Sequence, residues 1–262
     1  MPRPTLCSLL VLTSVAFSQG PAMRVPEPAE IDAAVARLDQ AFTKGDGPAR
    51  IEAMEAGREV LDARVIAFYD RGLKDNDVGV ARSAIENLRY MPHPAALELL
   101  HKTYKRDKKL RKDVDGFALL IKAIGQHANE ASIDILSDDV FGVADPKVVT
   151  ARILGLGNIR DARSVEALFA LMHAAGRERV QNHMPTFRLA LMVLTGADEG
   201  ENQDAWTSWW NEHKQGLVVT PEPHKLPQRM QRQWDYHWGN ERMRSREKQR
   251  GERGNDPEGS GK

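Results

Sequence analysis

The chain has 262 residues, 41% of them hydrophobic and 28% charged, enough for one elongated or one to two compact domains. Its 37 basic residues balance 37 acidic ones, so no global field draws it to a nucleic acid or an anionic membrane surface. A single cysteine, Cys7, excludes an intramolecular disulfide framework and a thiolate metal cluster.

At the N-terminus, MPRPTLCSLLVLTSVAFSQG sets Arg3 before an apolar run from Leu6 to Phe17, with small residues at Ala16 and Ser18. This pattern predicts a secretory signal peptide over residues 1–18, cleaved after Ser18, and hence a secreted or periplasmic protein. The run is shorter than the roughly twenty residues a membrane span needs, and no later segment is apolar enough to supply one. Cys7 leaves with the signal peptide, so stability of the mature chain must come from packing. Residues 19–27 read as a linker.

From residue 28 to residue 215 apolar side chains recur at helical spacing, as in Ile31, Val35, Leu38 and Phe42, or Leu97, Leu100 and Tyr104. Strand-like alternation is nearly absent, and turn signals such as KGDGP, MPHP, ADP and LTG separate the periodic segments. The expected fold is all-α, with many helices of roughly ten to fifteen residues. A chain of this kind invites a search for repeats, and one register emerges. Ala56-Gly57, Leu88-Arg89, Ile124-Gly125 and Leu156-Gly157 fall in one column, with steps of 32, 36 and 32 residues. Nine residues on stand Val65, Leu97, Ile133 and Val165, and three further Phe68, Leu100, Leu136 and Leu168. Each unit reads as a helical hairpin that cannot bury its apolar stripes alone, so neighbours must stack and share a core. The small residue near the end of the first helix is expected to let it stop and turn.

At these residues the chain resembles the HEAT repeat family, whose units pair an Ala-rich first helix ending in Leu-Gly with a second helix carrying Val-x-x-Leu. LGNIRDARSVEAL matches closely and AIGQHANEASIDIL well, whereas the unit at Leu88 departs with Arg89 for Gly and with Pro92 and Pro94 in its turn. The resemblance covers about residues 48–215 and implies an α-solenoid of about five HEAT-like hairpins. It says little of function.

MPTFRLALMVLTG fits a fifth first helix stopped at Gly196. Asn202 or Asp204 then caps a last helix, in which Trp206, Trp209, Trp210 and His213 share one face. The Leu-Thr-Gly, acidic loop, Trp-x-x-Trp-Trp arrangement resembles a closing unit of bacterial secreted HEAT-like proteins, with Glu199 in place of an aromatic often seen there. These tryptophans are expected to close the core rather than form a ligand platform.

Signals for chemistry fade under this register. Gly155-Leu156-Gly157 begins like a dinucleotide loop, but Arg160 stands where the third glycine belongs and no strand precedes it. No two of the eight histidines lie at zinc-ligand spacing with a carboxylate between them. Asp138, Asp139 and Asp145 lack the alternation and glycine of a calcium loop, and are read as capping and loop residues. There is no nucleophile-elbow pattern. No catalytic residue, metal or cofactor is expected.

Two stretches remain as candidate contact sites. HKTYKRDKKLRKD, residues 101–113, gathers seven basic side chains. They read either as a solvated helix end, with cations favoured near its C-terminus, or as an edge for an acidic partner or envelope polymer. The candidate residues here are Lys102, Lys105, Lys108 and Lys109. The second stretch is RQWDYHWGNERMR, where Trp234, Tyr236 and Trp238 interrupt residues 216–262, whose polar composition predicts a disordered charged tail. These aromatics read as a short docking motif or as a segment that folds back onto the helices. The expected function is a non-catalytic protein-binding or scaffold module of the cell envelope. An envelope enzyme or accessory subunit using a groove is the alternative, and nucleic-acid handling a third.

Overall fold

The computed structural model describes residues 24–106, 110–142 and 145–239. Among them the protein is all-helical. The helices are α1 (Pro28–Lys44), α2 (Gly47–Gly57), α3 (Ala63–Leu73), α4 (Val78–Arg89), α5 (Pro94–Arg106), α6 (Val114–Gln126), α7 (Ile133–Ser137), α8 (Pro146–Asn158), α9 (Ala162–Ala174), α10 (Arg177–Thr195), α11 (Gln203–His213) and α12 (Gln228–Trp238). Short 3-10 turns at Leu110–Lys112 and Glu130–Ser132 precede α6 and α7. No helix of the described residues is long and apolar enough to cross a membrane.

The helix starts follow local chemistry. Asp46, Asp62, Asp77, Asp145, Asp161 and Asn202 each precede a helix, and each side chain accepts a hydrogen bond from a first-turn N–H. Asp145, weighed above as an oxygen ligand, is thus a cap, and the Asp138 carboxylate accepts from the Tyr104 hydroxyl at 2.8 Å.

Helices α2, α4, α6, α8 and α10 pack each on the next; α1, α3 and α5, and further on α7, α9 and α11, line up beside them. Except at Ala56, which is exposed, the three apolar columns read from the sequence sit in the resulting core: Leu88, Ile124 and Leu156, then Val65, Leu97, Ile133 and Val165, then Leu100, Leu136 and Leu168 are buried, and Phe68 packs against them. Ion pairs step along the surface with nearly the same period. Arg64 reaches Asp32, Arg71 reaches Asp39, Arg82 reaches Asp113, Lys147 reaches Asp115 and Arg163 reaches Glu130, with separations of 31 to 33 residues. Being exposed, such pairs register neighbouring units more than they stabilise them.

Four expectations change. Gly125 and Gly157 stand next to last in α6 and α8, near the helix ends as expected, but neither takes the left-handed conformation of a helix stop. A Cβ on Gly125 would stand 2.6 Å from the Gly155 Cα, and one on Gly157 would stand 2.8 Å from the Ala190 Cβ. The glycine column therefore serves close approach of neighbouring helices, for which a side chain leaves no room. The helix placed at MPTFRLALMVLT begins seven residues earlier, at Arg177, with Pro185 inside it; its buried stripe of Val180, Met184, Phe187, Leu191 and Leu194 runs through the proline. Tertiary burial here overrides a local start signal. Third, α7 has only five residues. The buried Arg152 guanidinium donates to the carbonyls of Ile135 (2.7 Å) and Leu136 (3.4 Å), taking up α7's last carbonyls where the helix stops.

The fourth change concerns the tail. Residues 216–239 are not a disordered segment. They run back along the molecule as a strap that ends in α12, while residues 240–262 lie outside the described residues. Arg160 fastens the first part. Its guanidinium donates to the carbonyls of Thr220 (2.9 Å) and Glu222 (2.8 Å), to the Thr220 hydroxyl (3.1 Å) and to the carbonyl of Val193 (2.5 Å). His224 packs on Gly196, the left-handed residue that ends α10, where a Cβ would meet its ring at 2.8 Å.

Candidate functional site

The aromatic cluster of α11 closes the array. Trp206 is fully buried, and its indole N–H donates to the Gly200 carbonyl at 2.8 Å. Trp209 and Trp210 are half-buried, and both stack on Phe169 of α9, with ring centroids 6.3 and 4.7 Å away. Gln203 donates to the Met172 carbonyl at 3.1 Å, tying the start of α11 to the same helix. Two of the three tryptophans keep an exposed edge, but their faces are spent on Phe169. They form a packed end rather than an open platform.

Of the basic stretch, Lys102 and Lys105 lie on α5, while Lys108 and Lys109 fall outside the described residues. The row of second helices thins between α5 and α7, which barely meet. A cleft of about 770 Å³ opens there, walled by His93, His101, Lys102, Lys105 and Arg106 on one side and by His127 and Asn129 on the other. Lys102 is 3.5 Å from Asp70; among the described residues Lys105 and Arg106 form no ion pair. Burial, then the nearby Lys105 and His127, lower the pKa of His101, whose Nε2 sits 2.8 Å from the Ser132 hydroxyl. Burial also lowers that of His127, against the opposing effect of the Leu88 carbonyl, 3.1 Å from its Nε2. Both imidazoles are therefore neutral at pH 7, and the cleft draws its positive charge from Lys105 and Arg106, with Lys102 shared with Asp70, against Glu98 in the lining.

The second candidate set divides. Met230, Trp234 and Trp238 stand at i, i+4 and i+8 on the inner face of α12. Trp238 is 7% exposed, with its ring tip over Gly125 in α6, whereas Tyr236 on the outer face is 74% exposed. Trp238 is thus occupied by its own chain and unavailable as a partner anchor; Trp234 is half-buried and meets it edge to face at 5.6 Å. The seat is built from residues that depart from the repeat pattern or complete it. Arg89, which replaces the column glycine, is buried and donates to the Trp238 carbonyl at 2.7 Å and to Gln126 Oε1 at 3.1 Å. A guanidinium at the last carbonyls of a helix is a favourable C-terminal partner for its dipole. The pKa of His237, beside Trp238, is depressed to about 3 by burial and then by Lys122 and Arg89.

Sequence reasoning missed Arg89 and Arg160 as fastenings. The signal was present in both, since each breaks a glycine pattern, but nothing local tells what such a guanidinium will hold.

Among the described residues no group of three or more histidine, cysteine or acidic side chains is placed to hold a metal ion. No protein-family model matches the chain, and no curated protein matches it.

Proposed function

We propose that the protein is an α-solenoid of about five HEAT-like hairpins, exported to the cell envelope, and that it binds an acidic protein partner without catalysis. The observation that carries this reading is the cleft beside α5. It has a volume of about 770 Å³, lies beside the thinned part of the second row of helices, and presents Lys105 and Arg106, with Lys102 shared with Asp70, against Glu98. A cluster of one sign in a cleft raises the local concentration of oppositely charged ligands and speeds their association. The stacked helices and the stepped ion pairs support the repeat reading, since arrays of this type carry extended binding surfaces on a frame of nearest-neighbour contacts.

The test is capture from native envelope extract followed by mass spectrometry, comparing the wild type with Lys102→Glu/Lys105→Glu. Acidic partners are expected to be lost from the variant, and to elute from the wild type with rising salt, at a melting temperature changed by no more than a few degrees. Equal recovery by both proteins, at any salt, overturns the proposal.

A further inference from the structure

A second cavity, of about 780 Å³, lies under α12, where the strap crosses the ends of α2, α4, α6 and α8. Its size is within the roughly 300–1,000 Å³ of small-ligand clefts. Its lining differs in kind from that of the basic cleft. Arg24 and Arg58 are matched by Glu59 and Asp235, so the cavity has no net charge. Trp234 and Tyr90 contribute aromatic surface, and Tyr90 is held by the Arg89 guanidinium 4.7 Å from its ring centroid.

Two amides in the wall are fixed by the fold with one polar group left over. Gln126 accepts through Oε1 from Arg89 at 3.1 Å. Arginine only donates, so the amide oxygen must face it and the NH2 is left as a donor. Asn158 donates through Nδ2 to the Gly125 carbonyl at 3.0 Å, which leaves its Oδ1 as an acceptor. Both residues line the cavity. The Arg89 contact that docks α12 and the bond between α8 and α6 therefore hold a donor and an acceptor beside aromatic faces, before any ligand arrives. Preorganised polar groups of this sort fix orientation at little entropic cost.

An anion would gain nothing from balanced charges, and a purely apolar ligand would cover the amide groups of Gln126 and Asn158 without pairing them. A ligand with apolar C–H faces and many hydroxyls satisfies both halves of the lining. We propose that the cavity under α12 binds a short neutral oligosaccharide, its ring faces against Trp234 and Tyr90 and its hydroxyls bonded to Gln126, Asn158, Arg58 and Glu59. This site is separate from the basic cleft and stands or falls without it.

Calorimetric titration of the full chain with chitotetraose and cellotetraose, both neutral, tests it. Wild-type protein is expected to bind at least one of them in the micromolar to millimolar range. Trp234→Phe, which keeps an apolar contact for α12 but shrinks the face, is expected to weaken binding about threefold to tenfold, the span of one aromatic contact. Hydrogen exchange over residues 228–238 reports whether α12 stays docked in that variant. Arg58→Ala/Glu59→Ala, in the α2–α3 wall, is expected to weaken binding, with the same hydrogen exchange reporting that α12 stays docked, and Lys102→Glu/Lys105→Glu to leave it unchanged. Absence of binding by the wild type at millimolar sugar overturns the proposal, and so does wild-type affinity in Arg58→Ala/Glu59→Ala.

Discussion

The two tryptophan-bearing helices are of equal length and similar spacing, yet they meet the rest of the molecule in different ways. In α11 the aromatic face continues the repeat: it packs on α9 and α10, the elements just before it in the chain. In α12 the aromatic face leaves the repeat behind and docks sideways, about a hundred residues upstream in the chain, on α6 and on the Arg89 side chain of α4. The first is a closure that every array of stacked hairpins needs, because its last unit has a neighbour on one side only. The second is an addition, held by particular side chains rather than by the period. Aromatic spacing alone thus identifies a buried helix face, and not what buries it.

That contrast can be broken most forcefully at Trp206. Trp206→Ala removes a fully buried indole and is expected to cost roughly 3 to 5 kcal/mol, the usual range for such a truncation. Hydrogen exchange should show protection lost across α10 and α11 and kept in α2 to α4. Uniform loss along the chain would mean that the units do not stack as near-independent neighbours.

Arg89→Ala probes the other helix. It leaves the Trp238 carbonyl without its charged donor, and hydrogen bonds of that kind contribute about 1.5 to 3 kcal/mol. The expected result is release of α12 with the remaining helices intact, read as a red shift of tryptophan emission and exchange confined to residues 228–238. Global unfolding at the same denaturant concentration would show that α12 and the array form one cooperative unit.

The smallest effect is a pH dependence. His237 is held near a pKa of about 3, against an ordinary value of 6.5, by burial and by Lys122 and Arg89. The nearby Asp115 already pairs with Lys147 at 2.6 Å and offers little relief. With the docked pKa depressed, the released helix binds the proton more readily. Docking is therefore at full strength above pH 6.5 and weakens as pH falls from 6.5 toward 3. At pH 5.5 the loss is about 1.4 kcal/mol. Emission from Trp234 and Trp238 followed against pH should show this slope in the wild type and not in His237→Gln.

The sequence by itself determined the all-helical class, because apolar residues at helical spacing have one face to bury and helices are the way to bury it. It also determined half of the helix starts, since an aspartate or asparagine before a first turn meets its own N–H groups within a few residues. The three apolar columns and the role of Trp206 as a closing residue were legible for the same reason: they depend on neighbours in the chain. Only the tertiary structure decided the rest. Gly125 and Gly157 serve packing between helices rather than termination, which depends on the distance to Gly155 and Ala190 across the layer. The extension of α10 through Pro185 depends on a buried stripe that outweighs a local start signal. The docking of Trp238 depends on Arg89, 149 residues away in the chain, and polar composition alone predicted disorder there. Local patterns report what a residue can do with its neighbours in sequence. A helix fastened by the buried guanidinium of Arg89, at the end of a strap held by Arg160, is settled by partners that no local pattern names.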